Sequence, residues 1–250
     1  MAIDFIVNTL PQIIGTTGSI LSITDYFARH HPAHTKEHLA RNLELMSEYM
    51  REKHQSKDPE DTLRNDWFSE NQVSNPRVLR RLLDKTVKEI INDSQESKSE
   101  HIAKFWVNIC LTSNADIDEA TAFSYLETIE SLSWRQLCII RLIALRENQE
   151  KQVDFRRISN EDVEQMPQDE SARFYSIGRE YRSLMDDRHI EGASIPQFTE
   201  THEPFVDFPG SGWLPGYTKR LHSLMNLHEI PDGEIEQTFS IWNVRVPQTT

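Results

Sequence analysis

Glycine is scarce in this chain of 250 residues, with eight, and proline stands at eleven. An all-β fold needs turn residues at each strand reversal, so the shortage argues against one and favours helices. Cysteine is rarer still. Cys110 and Cys138 each fall inside an apolar helical pattern, which predicts burial as small hydrophobes rather than a disulfide and suits a reducing cytosol. Basic charge is also in deficit: 27 Lys and Arg against 40 Asp and Glu leave a formal net charge of −13. Such a surface repels polyanions, so nucleic acid is disfavoured as a partner. Signature motifs are missing too. The chain has no G-x-x-x-x-G-K-S/T phosphate loop, no G-x-G-x-x-G, no G-x-S-x-G elbow and no paired C-x-x-C. That removes the most recognisable nucleotide-binding and hydrolase readings, although scattered residues can still assemble an active site.

Long hydrophobic runs are absent apart from one imperfect stretch at the N-terminus. From Ile3 to Ile23 the single charge is Asp4, but Asn8, Pro11, Gln12 and several Thr and Ser residues interrupt it. A spanning helix needs roughly 20 mainly apolar residues, and this run falls short. Gly15 and Gly18 also miss the four-residue spacing of the membrane-dimer motif. The stretch predicts a helix buried against the body. Contact with a membrane through residues 2–28 is a competing reading, and docking of a partner is another. The start lacks the basic residues and cleavage site of a secretory signal, which predicts a cytoplasmic, or membrane-associated, protein.

What the chain does have is helical periodicity. Leu39, Leu43, Met46 and Met50 mark a helix reaching about His54, with Thr35 ahead of it as a cap. The polar stretch beyond His54, with Trp67 and Phe68 in it, reads as a linker. Asn75 and Pro76 then supply a cap and a first helical residue, and Val78, Leu79, Leu82, Leu83, Val87, Ile90 and Ile91 form one apolar face. Ile102, Phe105, Trp106, Ile109 and Cys110 share the face of a second helix, and Ala120, Phe123, Leu126 and Ile129 that of a third. Ser133 and Gln136 match a capping box, opening a helix whose Leu137, Ile140, Ile143 and Ala144 face the core.

Beyond Arg146, Ser159 caps a short helix that Pro167 stops. Ala172–Ile190 forms a longer helix on Phe174, Ile177, Tyr181, Leu184 and Met185, with Gly192 at its left-handed end. Ala193–Gly212 is a hairpin or packed loop, and helix returns at Tyr217–Leu227. The expected organisation is a mainly α multi-helix bundle: an N-terminal helical region (1–55), a linker (56–75), a helical core (76–146) and a degenerate winged-helix-like C-terminal half (147–250) containing a short hairpin or irregular loop. Three helices followed by a hairpin is the winged-helix order.

Two constellations could carry chemistry. His34-Thr35-Lys36-Glu37-His38 matches H-x-x-E-H, in which both histidines would bind zinc and Glu37 would activate a water. Glu100 and Glu119 are the candidates for a third ligand. Ten histidines, with His30, His31, His34 and His38 together, make a chance match easy, and polar residues opening a surface helix explain the run without metal. The second is a basic face. Arg77, Arg80, Arg81, Lys85 and Lys88 share one helix, and Arg173, Arg179, Arg182 and Arg188 share the would-be recognition helix. Glu180, Asp186 and Asp187 interleave with the latter set, which weakens base reading.

The run ending S-L-S-W-R-Q-L-C-I-I-R-L-I-A resembles the central segment of the abortive-infection-alpha family of bacterial phage-defence proteins, with its L-S-x-x-[DQ]-x-x-I-L-x-x-[IL] pattern. I-G-R-E-Y-R-S-L-M-D-D-R-H-I-E-G and L-P-G-Y-T-K-R-L-H-S-L-M are similar to that family's tail, so the resemblance spans roughly 75–230. It departs where the family has Gly after Thr; here Gly216 precedes Thr218. The resemblance implies a mostly helical, defence-associated bacterial protein with a membrane link, and it carries over no catalytic residue.

The expectation is therefore a non-enzymatic interaction or adaptor protein in antiviral defence. It has no assigned catalytic, cofactor or metal site, and another protein or a second copy is its partner, bound through an acidic surface and exposed aromatics. A membrane-acting effector, a zinc hydrolase built on His34, Glu37 and His38, and a DNA-binding regulator are the alternatives.

Overall fold

A computed structural model describes residues 41–42, 44–46, 48–50, 52–53, 75–92, 95–147, 160–192 and 212–246, with single positions at 153, 156 and 158. These residues are mainly helical, as expected, and include no extended strand. The chain divides into two compact units, Met1–Ser131 and Leu132–Thr250. The division falls ahead of the Ser133 capping box, so the helix that the box opens belongs to the second unit.

The first unit contains α1 (Asn75–Asn92), α2 (Glu96–Ile109) and α3 (Glu119–Ser131). Leu82, Leu83, Val87 and Ile90 of α1 are buried, and α1 packs on both other helices. The expected face of α2 is buried, but Ala103, Val107, Lys98, Ser99, His101 and Asn108 are buried with it. Asn108 is satisfied rather than stranded: Tyr49 Oη donates to its Oδ1 at 3.4 Å, and Asn114 Nδ2 donates to its carbonyl at 2.8 Å. Phe105 meets Tyr125 edge-on at 6.2 Å.

The expected face of α3 is partly wrong. Ala122, Tyr125, Leu126 and Ile129 are buried, whereas Ala120 is exposed and Phe123 only half-buried. Phe123 is held at the surface by Arg81, whose guanidinium lies 5.1 Å from the ring centroid while its Nη1 donates to Glu119 at 2.7 Å. Asp118 starts the helix by accepting the Thr121 N–H at 2.8 Å, and the hydrogen bonds from Thr121 hold its carboxyl below the usual carboxylate range. Two residues of the expected basic face of α1, Arg81 and Lys85, have acidic neighbours. Arg81 pairs with Glu119, and Lys85 lies 3.6 and 3.9 Å from Glu127 and Glu130.

The second unit contains α4 (Trp134–Glu147), α5 (Asn160–Gln165), α6 (Gln168–Asp186), α7 (Gly216–Leu224) and α8 (Asp232–Thr238). Helix α4 is its hub: α6, α7, α8 and the 3-10 turn Leu227–Glu229 all pack on it. Every residue from Gln136 to Leu145 is buried, beyond the four positions that periodicity selects, which is the behaviour of a helix enclosed on all sides. The capping box is formed. Gln136 N–H donates to Ser133 Oγ at 3.1 Å, and Ser133 N–H donates to Gln136 Oε1 at 2.8 Å. Ser133→Ala should therefore cost about 1 kcal/mol, read as a lower urea midpoint; an unchanged midpoint would show that the cap contributes nothing.

Pro167 both stops α5 and precedes the first turn of α6, so α6 begins at Gln168 instead of Ala172. Phe174, Ile177, Tyr181 and Leu184 form its buried stripe as expected, and Met185 is half-buried. The helix ends earlier than Ile190, and its left-handed residue is Arg188 (φ 60°), not Gly192. Arg188 N–H bonds to Met185 O at 2.9 Å and His189 N–H to Leu184 O at 2.7 Å, the paired bonds of a Schellman turn. Gly192 also has positive φ, but four residues farther on.

Phe174, Phe239 and Trp242 close the far side of the core. Phe174 stacks on Trp242 at 5.2 Å, and Phe239 meets it edge-on at 6.4 Å. Both cysteines are free and buried, as expected. Burial, the main cause, pushes the Cys138 thiol up to about 12, which leaves it unreactive at neutral pH. Among the described residues no helix is long and apolar enough to cross a membrane, and residues 2–28 lie outside them.

Candidate functional site

The chain leaving α6 and the chain entering α7 meet at one antiparallel bridge. Glu191 N–H donates to Trp213 O at 3.0 Å, and Trp213 N–H donates to Glu191 O at 2.9 Å. The neighbouring residues Ile190 and Leu214 are buried. Glu147, at the end of α4, accepts the Leu214 N–H through Oε1 at 2.9 Å and reaches Lys219 through Oε2 at 3.2 Å. Three helices thus fix one corner of the unit. The same corner carries aromatics into solvent, with Trp213 50% and Tyr217 36% exposed.

Trp213 is exposed but not loose. Its Nε1–H donates to Glu191 Oε2 at 3.2 Å. Its six-membered ring covers Gly192 so closely that a Cβ there would fall 1.8–2.5 Å from three ring carbons. Only glycine allows that approach, and the left-handed backbone (φ 64°) also favours glycine. Tyr217 stacks against His189 at 6.4 Å and 27°. Burial lowers the His189 pKa, with Asp187 acting in the other direction, so the imidazole is neutral at pH 7. The corner offers aromatic surface and a carboxylate, which is the chemistry of recognition.

A second polar cluster joins α4 to α6. Arg135 Nη1 donates to Ser176 Oγ at 2.9 Å and to Glu180 Oε1 at 3.3 Å, and Gln136 Nε2 donates to the Glu180 carbonyl at 3.4 Å. Burial raises the Glu180 carboxyl pKa, and Arg135 opposes that rise. The folded protein therefore holds this proton more tightly than the unfolded chain does. The associated stability is fully present below the ordinary value of 4.5 and is lost as pH rises through the raised folded pKa. Glu180→Gln should flatten that part of the melting-temperature profile; a profile identical to that of the wild type would show that Glu180 does not titrate this way.

The other residues singled out from the sequence are dispersed. His30, His31, His34, Glu37 and His38 lie outside the described residues. Glu100 is taken by Lys104 at 2.6 Å and Glu119 by Arg81 at 2.7 Å. Among the described residues no group of His, Cys, Asp and Glu is arranged to hold a metal ion. On α6, Arg173 donates to the carbonyls of Gln237 and Thr238, while Arg179 and Arg182 are exposed on one stripe with Tyr175. Sequence reasoning does not single out Trp213 and Tyr217. Their signal is the local pattern G-S-G-W-L-P-G-Y, in which glycine and proline leave a large aromatic no helix face on which to bury. The chain matches no protein-family model, no curated protein and no solved structure.

Proposed function

We propose that this chain is a non-enzymatic interaction protein that docks a protein partner on the aromatic corner of its second unit. The observation that carries the reading is Trp213, half exposed yet held by a backbone bridge, an indole hydrogen bond and a glycine beneath its ring. Tryptophan and tyrosine are among the residue types that dominate binding energy at protein interfaces. A side chain already held in one place loses less freedom on binding.

The order α4, α5, α6 followed by the Glu191–Trp213 bridge supports reading the second unit as a degenerate winged helix. Its charge favours protein over DNA. Asp169 and Glu170 occupy the first turn of α6, where a phosphate would approach, and Asp186 lies at its other end. The resemblance over 75–230 supports bacterial antiviral defence as the setting. The test is affinity capture of the full chain from its native host with quantitative mass spectrometry. A reproducible protein partner whose recovery falls with Trp213→Ala is expected, and equal recovery by both proteins would sink the reading.

A further inference from the structure

We infer that the ligand of this corner is a cationic side chain of the partner, arginine or lysine, laid on the exposed surface of Trp213 beside Glu191. The inference rests on the docking reading and names what is docked.

An indole is the strongest aromatic acceptor of a cation, because its ring face carries negative potential. One face of Trp213 lies on Gly192, and half of the residue's surface stays open to a partner. The Glu191 carboxylate lies at the ring's nitrogen edge through its 3.2 Å hydrogen bond. A planar guanidinium over the ring would therefore meet both the π face and a carboxylate. The local charges favour that occupant. Asp186, Asp187 and Glu191 flank the turn with Arg188 as the one cation between them. Lys219, on the first part of α7, is engaged by Glu147 at 3.2 Å. His189 adds no positive charge at neutral pH. A purely apolar ligand would leave Glu191 unused and partly desolvated, and an acidic one would be repelled by it and by the net charge of −13.

The experiment is a proton–nitrogen correlation titration of the full chain, following the Trp213 indole resonance, which a Trp213→Phe variant assigns. The probes are three short capped peptides of alternating glycine with arginine, citrulline or glutamate. A saturable shift with the arginine peptide alone, weakened roughly 2- to 5-fold by Glu191→Gln, is the expected result. Glutamine keeps an acceptor for the indole N–H, so that variant leaves the corner's geometry in place. An equal shift with the citrulline peptide would overturn the cation assignment and leave the docking reading standing. No shift with any peptide would also overturn it, and the docking reading would then be judged by partner capture with Trp213→Ala.

Discussion

Replacing Trp242 with alanine should destabilise the second unit by about 3–5 kcal/mol, the usual range for truncating a buried aromatic. Trp242 is 1% exposed, stacks on Phe174 and takes the edge of Phe239. Its carbonyl accepts the Arg156 N–H at 2.6 Å, which ties in the segment leading to α5. Truncation would remove the ring from two aromatic contacts at once and leave a cavity that the rigid helices around α4 can only partly fill. For a unit spanning Leu132–Thr250 each kcal/mol moves the melting temperature by about 3–6 °C, so a fall of at least about 9 °C is expected. Trp242→Phe should recover most of it. A fall of only a few degrees for Trp242→Ala would mean that this cluster is not what closes the core.

The second large effect concerns Gly192. Alanine there must occupy a left-handed backbone, at about 1–2 kcal/mol, and its Cβ cannot coexist with the Trp213 ring at 1.8 Å. The ring is the far end of a half-exposed side chain, so it swings away and releases Glu191 while the core stays intact. Gly192→Ala should thus lower stability modestly but abolish partner binding as thoroughly as Trp213→Ala does. The displaced indole should be visible as a moved Trp213 resonance and greater acrylamide quenching. An unmoved resonance would mean that the ring is not seated on the glycine.

Local features are the most legible in the sequence. The Ser133–Gln136 box is a short-range device and forms as expected, whereas the helix expected to open at Pro76 after an Asn75 cap begins at Asn75 itself. The stripe of α6 follows its period. What fails does so for identifiable reasons. Periodicity puts Ala120 and Phe123 in the core, but the Arg81–Glu119 pair and the Arg81–Phe123 contact hold Phe123 at the edge. Gly192 reads as the helix terminator because glycine is the usual left-handed residue, yet Arg188 takes that role and the glycine serves Trp213 instead. The corner itself depends on a pairing across the chain between Glu191 and Trp213, and no local pattern encodes it. The histidine run at 30–38 and the apolar segment 2–28 carry the sharpest alternatives, and both lie outside the described residues.

The most direct test is the dissociation constant of the captured partner for the wild type and for Trp213→Ala, with melting temperatures measured on both. A docking hot spot should lose about 2 kcal/mol or more, roughly 30-fold in affinity, while the melting temperature stays within a few degrees because Trp213 contributes little to the core. Affinity unchanged within about twofold, at equal stability, would contradict the account.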